Sequence, residues 1–211
     1  MHNTNSTPTA EKRDTLVINL CGAPGAGKST AAAELFGVMK RNFISVELVT
    51  EYAKDLIYSE SEHRLKDQLF VFAEQNHRIA RLMGKVDFIV TDSPLFLSPF
   101  YMPKDYPKEF YDFALVMATR YPSRNIFLER NHPYDQTGRM QTEEESLRIS
   151  AQLEAMMQEH GITYVKTVAS SDTPQRIYDR IILPELAEMQ ANRERRAQTA
   201  ETRPSRLRMV G

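Results

Sequence analysis

The residues whose types and spacing suggest chemistry lie in one stretch, GAPGAGKST, at residues 22–30. Gly22, Gly27, Lys28 and Ser29 occupy the fixed positions of the phosphate-binding pattern G-x-x-x-x-G-K-[ST]. Glycines let the backbone curl so that its N–H groups point at a phosphate, and the N-terminus of a following helix favours the same anion. The pattern predicts that Lys28 reaches the β- and γ-phosphates and that Ser29 holds Mg²⁺.

The elements around this stretch support that interpretation over a chance glycine turn. TLVINLC, at residues 15–21, is typical of a buried strand, and a helix is predicted to begin near Lys28. We therefore expect the whole loop to contact the nucleotide: Gly22, Ala23, Pro24, Gly25, Ala26, Gly27, Lys28, Ser29 and Thr30.

Two acidic side chains follow other predicted strands. SVELVT, at residues 45–50, is followed by Glu51 and then by a predicted loop, and the apolar strand DFIVTDS, at residues 87–93, ends on Asp92. Ligands of open α/β sheets bind at the carboxyl ends of the strands. Asp92 is therefore a candidate Mg²⁺ ligand, directly or through water, with an aspartate turn cap as the alternative.

Between and after these strands the pattern predicts further elements. A long helix is expected over residues 61–85, closed by Gly84, and a fourth strand over residues 125–129. The aromatic segment at residues 95–110 either walls a substrate pocket or packs in the core.

A segment without hydrophobic periodicity, residues 130–142, carries Arg130 and Arg139. It is typical of a lid that closes over a nucleotide and brings arginines to the transferring phosphoryl group. Each arginine could instead be a solvated surface residue. A helix is expected from about Glu143.

The chain after this helix contains a predicted fifth strand at residues 162–168 and a helix with Pro174 in its first turn. Pro184 is expected to kink or split that helix. Residues 1–13 are predicted to be a disordered lead-in, residues 14–190 the domain, and residues 191–211 a disordered tail with six Arg and two Glu.

Composition limits the class of protein. A chain of 211 residues suits one domain, and its net charge of −1 excludes a strongly basic protein. Cys21 is the single cysteine, so no internal disulfide can form, which suits a reducing cytosol. No apolar run approaches a membrane span and the polar start lacks a secretory region, so we expect a soluble cytoplasmic protein.

The alternation of strands and helices predicts an α/β fold with a doubly wound, five-stranded parallel sheet. GAPGAGKST, VTEYAKDL, TDSPL, YDQTGRMQTEEES and DTPQRIYDRII, in this order over residues 15–185, resemble small P-loop kinases and ATPases similar to nicotinamide riboside kinase, including phage-encoded members. That resemblance implies the strand order 2-3-1-4-5, ATP over the phosphate loop with Mg²⁺, and a hydroxyl acceptor under a short lid.

The resemblance also implies roles for individual residues. Lys28 and Ser29 match the ATP and Mg²⁺ residues, Asp92 the acidic residue after the third strand, and Arg139 the lid arginine. Glu51 resembles the carboxylate that accepts the hydroxyl proton in deoxynucleoside kinases, and Asp92 competes with it for that role. Arg176 matches a position that contacts adenine; a surface helix residue is its alternative.

The acceptor stays open at this stage. One alternative is a free nucleoside or nucleotide. The other is 5-hydroxymethyluracil within DNA, and the Arg-rich tail and the phage-like resemblance favour this second acceptor. A phage-encoded protein would act in the cytoplasm of its host. A nucleotide-binding regulator that transfers no phosphate is a rival. The lack of an N-K-x-D motif argues against a GTPase, and the short chain after the core argues against an AAA+ motor.

Overall fold

The computed structural model describes residues 13–131, 133–134 and 142–201, and its centre is a parallel sheet. The strands are β1 (Leu16–Cys21), β2 (Val46–Val49), β3 (Phe88–Thr91), β4 (Ser123–Glu129) and β5 (Val165–Val168). All are parallel, in the order β2-β3-β1-β4-β5. This confirms the predicted fold class and strand order.

Helices cover the sheet and connect its strands. They are α1 (Lys28–Arg41), α2 (Tyr52–Tyr58), α3 (Glu62–Lys66), α4 (Gln68–Ala80), α5 (Leu97–Tyr101), α6 (Lys108–Ala118), α7 (Glu143–Glu159), α8 (Thr173–Ile177) and α9 (Leu183–Glu201). A π-helical stretch, Tyr178–Ile182, joins α8 to α9. No helix among the described residues is long and apolar enough to cross a membrane.

The apolar residues of the central strands bury the sheet on both faces. All six residues of β1 and all four of β3 are buried, as strands covered by helices on both sides require. On α1, Ala32, Leu35 and Met39 are at most 1% exposed and pack on this sheet, with Phe36 partly buried beside them. The face of α1 that carries these residues is therefore the one that packs on the sheet.

The single helix predicted over residues 61–85 is wrong. Two helices, α3 and α4, replace it, because Asp67 leaves the helical conformation and its side chain accepts a hydrogen bond from the Phe70 N–H, which starts a new helix. The second helix ends at Ala80 instead of continuing to Lys85. The predicted loop after Glu51 is also wrong, since α2 begins at Tyr52.

The C-terminal helix is interrupted just before Pro184 and continues further than predicted. The π-helical stretch lies just before Pro184, so the helix changes its winding where proline cannot donate a backbone hydrogen bond. Helix α9 then continues to Glu201, so the disorder predicted from residue 191 is wrong for residues 191–201. Arg193 pairs with Asp87 at 2.5 Å, and Arg196 pairs with Asp14 at 2.6 Å.

Several predicted features lie outside the described residues. They are the lead-in at residues 1–12, the central part of the lid with Arg139, and the last ten residues of the Arg-rich tail, 202–211. The division into lead-in, domain and tail therefore stays a prediction beyond the helical residues 191–201.

Candidate active site

The phosphate loop connects β1 to α1 and depends on glycine at its first position. Gly22 has φ 139°, and a Cβ atom there would lie 2.5 Å from the carbonyl oxygen of Leu128 on β4. Gly25 and Gly27 have φ values of 78° and 83°, which L-residues rarely adopt. Glycine at position 22 therefore lets the loop lie against β4, and glycine at positions 25 and 27 permits the positive φ values of the loop.

The start of α1 offers its backbone N–H groups to a ligand. Gly27 is the N-cap residue, and no side chain caps the helix or places a negative charge in its first turn. Ser29 and Thr30 are exposed there. An uncapped helix N-terminus preceded by a glycine loop favours an anion such as phosphate.

Lys28 folds over the loop that precedes it. Its Nζ atom donates to the carbonyl oxygens of Gly22 and Ala23, at 3.0 Å each. The ammonium group thus lies on the loop itself, where it can neutralise phosphate charge.

Glu51 and Asp92 lie at the same sheet edge as this loop. In the parallel register Val49 pairs with Thr91, and Thr91 pairs with Asn19 of β1, so both acidic residues follow the ends of adjacent strands. The register explains why residues 41 positions apart in sequence share one site.

Asp92 has the chemistry of a cation ligand. It is 4% exposed, and its Oδ1 atom is buried without a hydrogen-bond partner among the described residues. A buried carboxylate oxygen without a partner is costly unless a ligand satisfies it. Because Mg²⁺ is usually held by one or two protein ligands, substrate phosphates and water, Asp92 and Ser29 fit this ion. No group of three or more His, Cys, Asp or Glu residues forms a metal cluster in the described ranges.

Glu51 is half-buried, and the charges of Lys28 and Asp92 both affect its pKa. Burial raises the pKa of Glu51 above its ordinary value of 4.5, the Lys28 ammonium opposes this change, and the Asp92 carboxylate raises the pKa further. Its side chain is not used to cap α2. The Glu51 carboxylate therefore remains available to a ligand at the edge of the loop.

Part of the aromatic segment at residues 95–110 packs in the core, and its role in a substrate pocket stays a prediction. Phe96 and Leu97 are buried in the core with Phe127. Tyr101, in contrast, is 46% exposed, and its pKa is raised to about 12 by the protein atoms that surround its hydroxyl and by the Glu51 carboxylate. One residue of this segment thus lies near Glu51.

Arg130 is held at the base of the predicted lid. Its guanidinium pairs with Glu143 in the first turn of α7 at 2.7 Å and lies 5.2 Å from the centre of the Tyr134 ring. Its side chain is 12% exposed, so it is not a solvated surface arginine. Its catalytic role, like that of Arg139, stays a prediction.

Arg176 organises the loop between β5 and α8. Its guanidinium donates to the Val168 carbonyl and to the side chains of Thr167, Ser170, Asp172 and Thr173. The loop that it holds passes close to the phosphate loop, since a Cβ on Gly27 would lie 3.9 Å from the Cβ of Ala169.

The structure adds Gln75 and Ser146, which the sequence did not indicate. Gln75 of α4 accepts from the Tyr52 N–H at 2.9 Å and donates to the Thr50 carbonyl at 3.4 Å, one bond on each side of Glu51. Ser146 of α7 donates to the Pro24 carbonyl at 2.7 Å. Neither has a local sequence signal, because the partners lie 23 and 122 residues away.

Comparison with known proteins identifies the family. Residues 17–176, well over half of the chain, match the family model AAA_28, described as an AAA domain. The chain belongs to this family. An AAA domain with this phosphate loop is a nucleotide-binding P-loop domain, which typically uses Mg²⁺. No curated protein matches the sequence.

Solved structures show the same fold. Thymidylate kinase from Ehrlichia chaffeensis superposes with a TM-score of 0.53 at 14% identity, covering 80% of this chain and 97% of that chain. The NadR protein, solved in complex with NR, gives a TM-score of 0.59 at 17% identity, covering 75% of this chain and 47% of NadR. The chain thus spans about half of NadR. At these identities the likeness establishes a P-loop kinase-like fold and leaves the substrate open.

Proposed function

We propose that this protein is an ATP-dependent kinase that transfers the γ-phosphoryl group to a hydroxyl of a nucleoside, a nucleotide or a related nucleobase-linked acceptor. One observation carries the proposal. Two carboxylates, Glu51 and Asp92, lie at the edge of the phosphate loop, and both Lys28 and Asp92 are close enough to change the pKa of Glu51. A phosphate loop alone would serve any nucleotide-binding protein, whereas a half-buried carboxylate beside it can also receive an acceptor proton.

One group of these residues binds the phosphate donor, and Glu51 acts on the hydroxyl acceptor. The loop N–H groups and Lys28 hold the nucleotide phosphates, while Ser29 and Asp92 would hold Mg²⁺, which supplies charge neutralisation on the β- and γ-phosphates when it is bound. Glu51 orients the attacking hydroxyl and accepts its proton. A raised pKa makes Glu51 a stronger base than an ordinary carboxylate, while the buried Oδ1 atom of Asp92, which has no hydrogen-bond partner among the described residues, suits the proposed Mg²⁺.

Three arginines are also assigned to the nucleotide that donates the phosphoryl group. Arg130 and Arg139 neutralise charge on the transferring group when the segment between β4 and α7 closes. Arg176 acts on the adenine side through the loop that it orders.

A screen of γ-phosphate transfer tests the proposal. Radiolabelled ATP is incubated with nucleosides, nucleotides, nicotinamide riboside and DNA containing 5-hydroxymethyluracil, and labelled products are separated. We expect wild-type protein to label one acceptor class and Lys28→Ala to label none. Lys85→Ala, an exposed lysine at the opposite end of β3, is the matched control and should retain activity.

The same screen distinguishes a free acceptor from a base in DNA, and a kinase from a regulator that transfers no phosphate. Label on the DNA alone would narrow the acceptor to a base in DNA, and the binding of that DNA should then weaken as salt rises. In the described part of the tail, Arg193 and Arg196 already form intramolecular ion pairs, so the free acceptor is favoured. Slow ATP hydrolysis that no hydroxyl acceptor changes would overturn the kinase proposal in favour of a regulator.

A further inference from the structure

The buried hydroxyl of Ser146 joins helix α7 to the phosphate loop. Ser146 is 1% exposed, and its Oγ atom donates to the carbonyl oxygen of Pro24 at 2.7 Å. Pro24 occupies the third position of the loop that begins at Gly22. The contact therefore acts on the loop's own backbone.

This contact fixes the direction of a neighbouring N–H group. The carbonyl of Pro24 and the N–H of Gly25 belong to one planar peptide, and no described peptide bond is cis. In a trans peptide the two groups point in opposite directions. When Ser146 holds the carbonyl toward α7, the Gly25 N–H must therefore point away from α7.

The Pro24–Gly25 peptide needs such a constraint. The Ala26 N–H donates to the Ala23 carbonyl at 3.1 Å, so Pro24 and Gly25, with φ 78°, are the central residues of a β-turn. This hydrogen bond is compatible with both orientations of the central peptide, as in type I and type II turns, and does not by itself select one. Pro24 has no N–H, so the nearest donor that the loop can offer a phosphate at this point is that of Gly25. A flipped peptide would present a carbonyl oxygen where an anion needs a donor.

Ser146 is itself held rigidly. The Thr142 side chain accepts from the Glu145 N–H and the Glu145 side chain accepts from the Thr142 N–H, which forms a capping box at the start of α7. The Ser146 N–H continues the helix by donating to the Thr142 carbonyl. Glu143 is paired with Arg130 immediately after β4. The first turn of α7 is thus anchored to the sheet edge that carries the loop.

We propose that Ser146 is a positioning residue for the nucleotide, which locks the Pro24–Gly25 peptide so that the Gly25 N–H is presented to a phosphate. This inference rests on the nucleotide binding in the proposed function. Loss of the hydroxyl leaves the Pro24 carbonyl without this donor and releases the peptide, so bound phosphate loses one oriented N–H group.

Nucleotide affinity of Ser146→Ala tests the inference. Binding of a fluorescent ATP analogue is measured for the wild type, Ser146→Ala and Ser150→Ala, in which the altered serine lies one turn later on α7. We expect the Kd to rise about 5- to 10-fold in Ser146→Ala, the effect of one lost hydrogen bond, and to be unchanged in Ser150→Ala. Ser146→Cys, which keeps the size but donates weakly, should fall between the wild type and Ser146→Ala.

A spectroscopic measurement separates this role from a merely structural one. The ¹⁵N–¹H resonance of the Gly25 amide is expected to shift or broaden in Ser146→Ala and not in Ser150→Ala. Equal affinities for wild type and Ser146→Ala would overturn the inference and leave the kinase proposal intact. Failure of the wild type to bind the analogue would overturn both. If Ser146→Ala does not fold, an unchanged Kd in Ser146→Cys would overturn the inference.

Discussion

The backbone N–H of Tyr52 donates to the Oε1 atom of Gln75 at 2.9 Å, although the residues belong to different helices. The Gln75 Nε2 atom donates to the carbonyl of Thr50 at 3.4 Å, and the residue is 3% exposed. Glu51 lies between these two anchored positions. A buried amide thus fixes the backbone on both sides of the proposed base while leaving the Glu51 carboxylate unused by the cap of α2.

Replacing Gln75 with methionine should separate catalysis from nucleotide binding. Methionine keeps the length of the side chain but neither accepts from Tyr52 nor donates to Thr50. Glu51 then loses its fixed position, and we expect kcat of phosphoryl transfer to fall about 10-fold, the loss typical of a misplaced catalytic group. The Kd of the ATP analogue should stay within about twofold, since the hydrogen bonds of Gln75 among the described residues go to Tyr52 and Thr50 and not to the phosphate loop.

Gln190→Met, at an exposed position of α9, is the control for this substitution. It should leave both kcat and Kd unchanged. An equal loss of nucleotide affinity in Gln75→Met would contradict a role limited to Glu51.

Protonation of Glu51 should cause the loss of activity at low pH, the acidic limb of the pH–activity profile. A base must be deprotonated, so activity falls as the pH drops through the pKa of Glu51, which lies above 4.5 because of burial and the nearby Asp92 carboxylate. We expect Glu51→Gln to lose about 10²- to 10⁴-fold in kcat and to remove this limb. The measurement is kcat against pH with saturating ATP and acceptor. An unaltered acidic limb in Glu51→Gln would assign the base to another group, with Asp92→Asn as the next variant.

The raised pKa of Glu51 also predicts that Glu51→Gln stabilises the folded protein at neutral pH. Because the pKa is higher in the folded than in the unfolded protein, folding favours the protonated form, and the charged form destabilises the fold at neutral pH. The variant should therefore have a higher Tm than wild type at pH 7. Below the unfolded pKa Glu51 is protonated in both states, so the advantage should disappear. Paired thermal unfolding at pH 7 and at pH 4 checks this, and a variant less stable at pH 7 would contradict it.

The sequence predicted those parts of the site that depend on short spacings. The phosphate loop is contiguous, and the strand ends that bring Glu51 and Asp92 together follow from a parallel sheet, so both could be inferred from local pattern. Gln75 and Ser146 could not, because their role depends on the packing of one helix against a distant loop. No periodicity in the sequence indicates which polar residue on a buried helix face meets a backbone group.

The two wrong predictions of helix boundaries have different origins. Apolar periodicity continues through residue 67, but the Asp67 side chain competes locally for the backbone and starts a new helix. The sequence at the end of α9 lacks an apolar face and predicts disorder, whereas the Asp87 carboxylate, 8% exposed, pairs with Arg193 of this helix. A local sequence pattern cannot predict an ion pair between residues that lie 106 positions apart.

That ion pair should be measurable in stability. Asp87 receives Arg13 at 2.9 Å and Arg193 at 2.5 Å, so Arg193→Ala leaves a largely buried carboxylate with one partner. We expect the free energy of unfolding to fall by about 1–2 kcal/mol in urea titrations. Arg195→Ala, whose side chain bonds Asn192 in the same helix, is the matched control and should change it by less than about 0.5 kcal/mol. Equal stability of both variants would mean that the end of α9 does not contribute to the fold.

Gly22 should be harder to replace than Gly161, a second described glycine with positive φ. Alanine there would place its Cβ 2.5 Å from the Leu128 carbonyl oxygen at φ 139°, so the loop must move away from β4. We expect Gly22→Ala to lose about 2–5 kcal/mol of unfolding free energy, from strain and overpacking together, and to lose nucleotide binding. Gly161→Ala is the control, since Gly161 has φ 64° with no atom within 4 Å of the added Cβ, and it should cost only about 1–2 kcal/mol. Urea unfolding and analogue binding of the two variants measure this difference. Similar losses in both would show that backbone strain alone, and not the close approach of the loop to β4, makes glycine necessary at position 22.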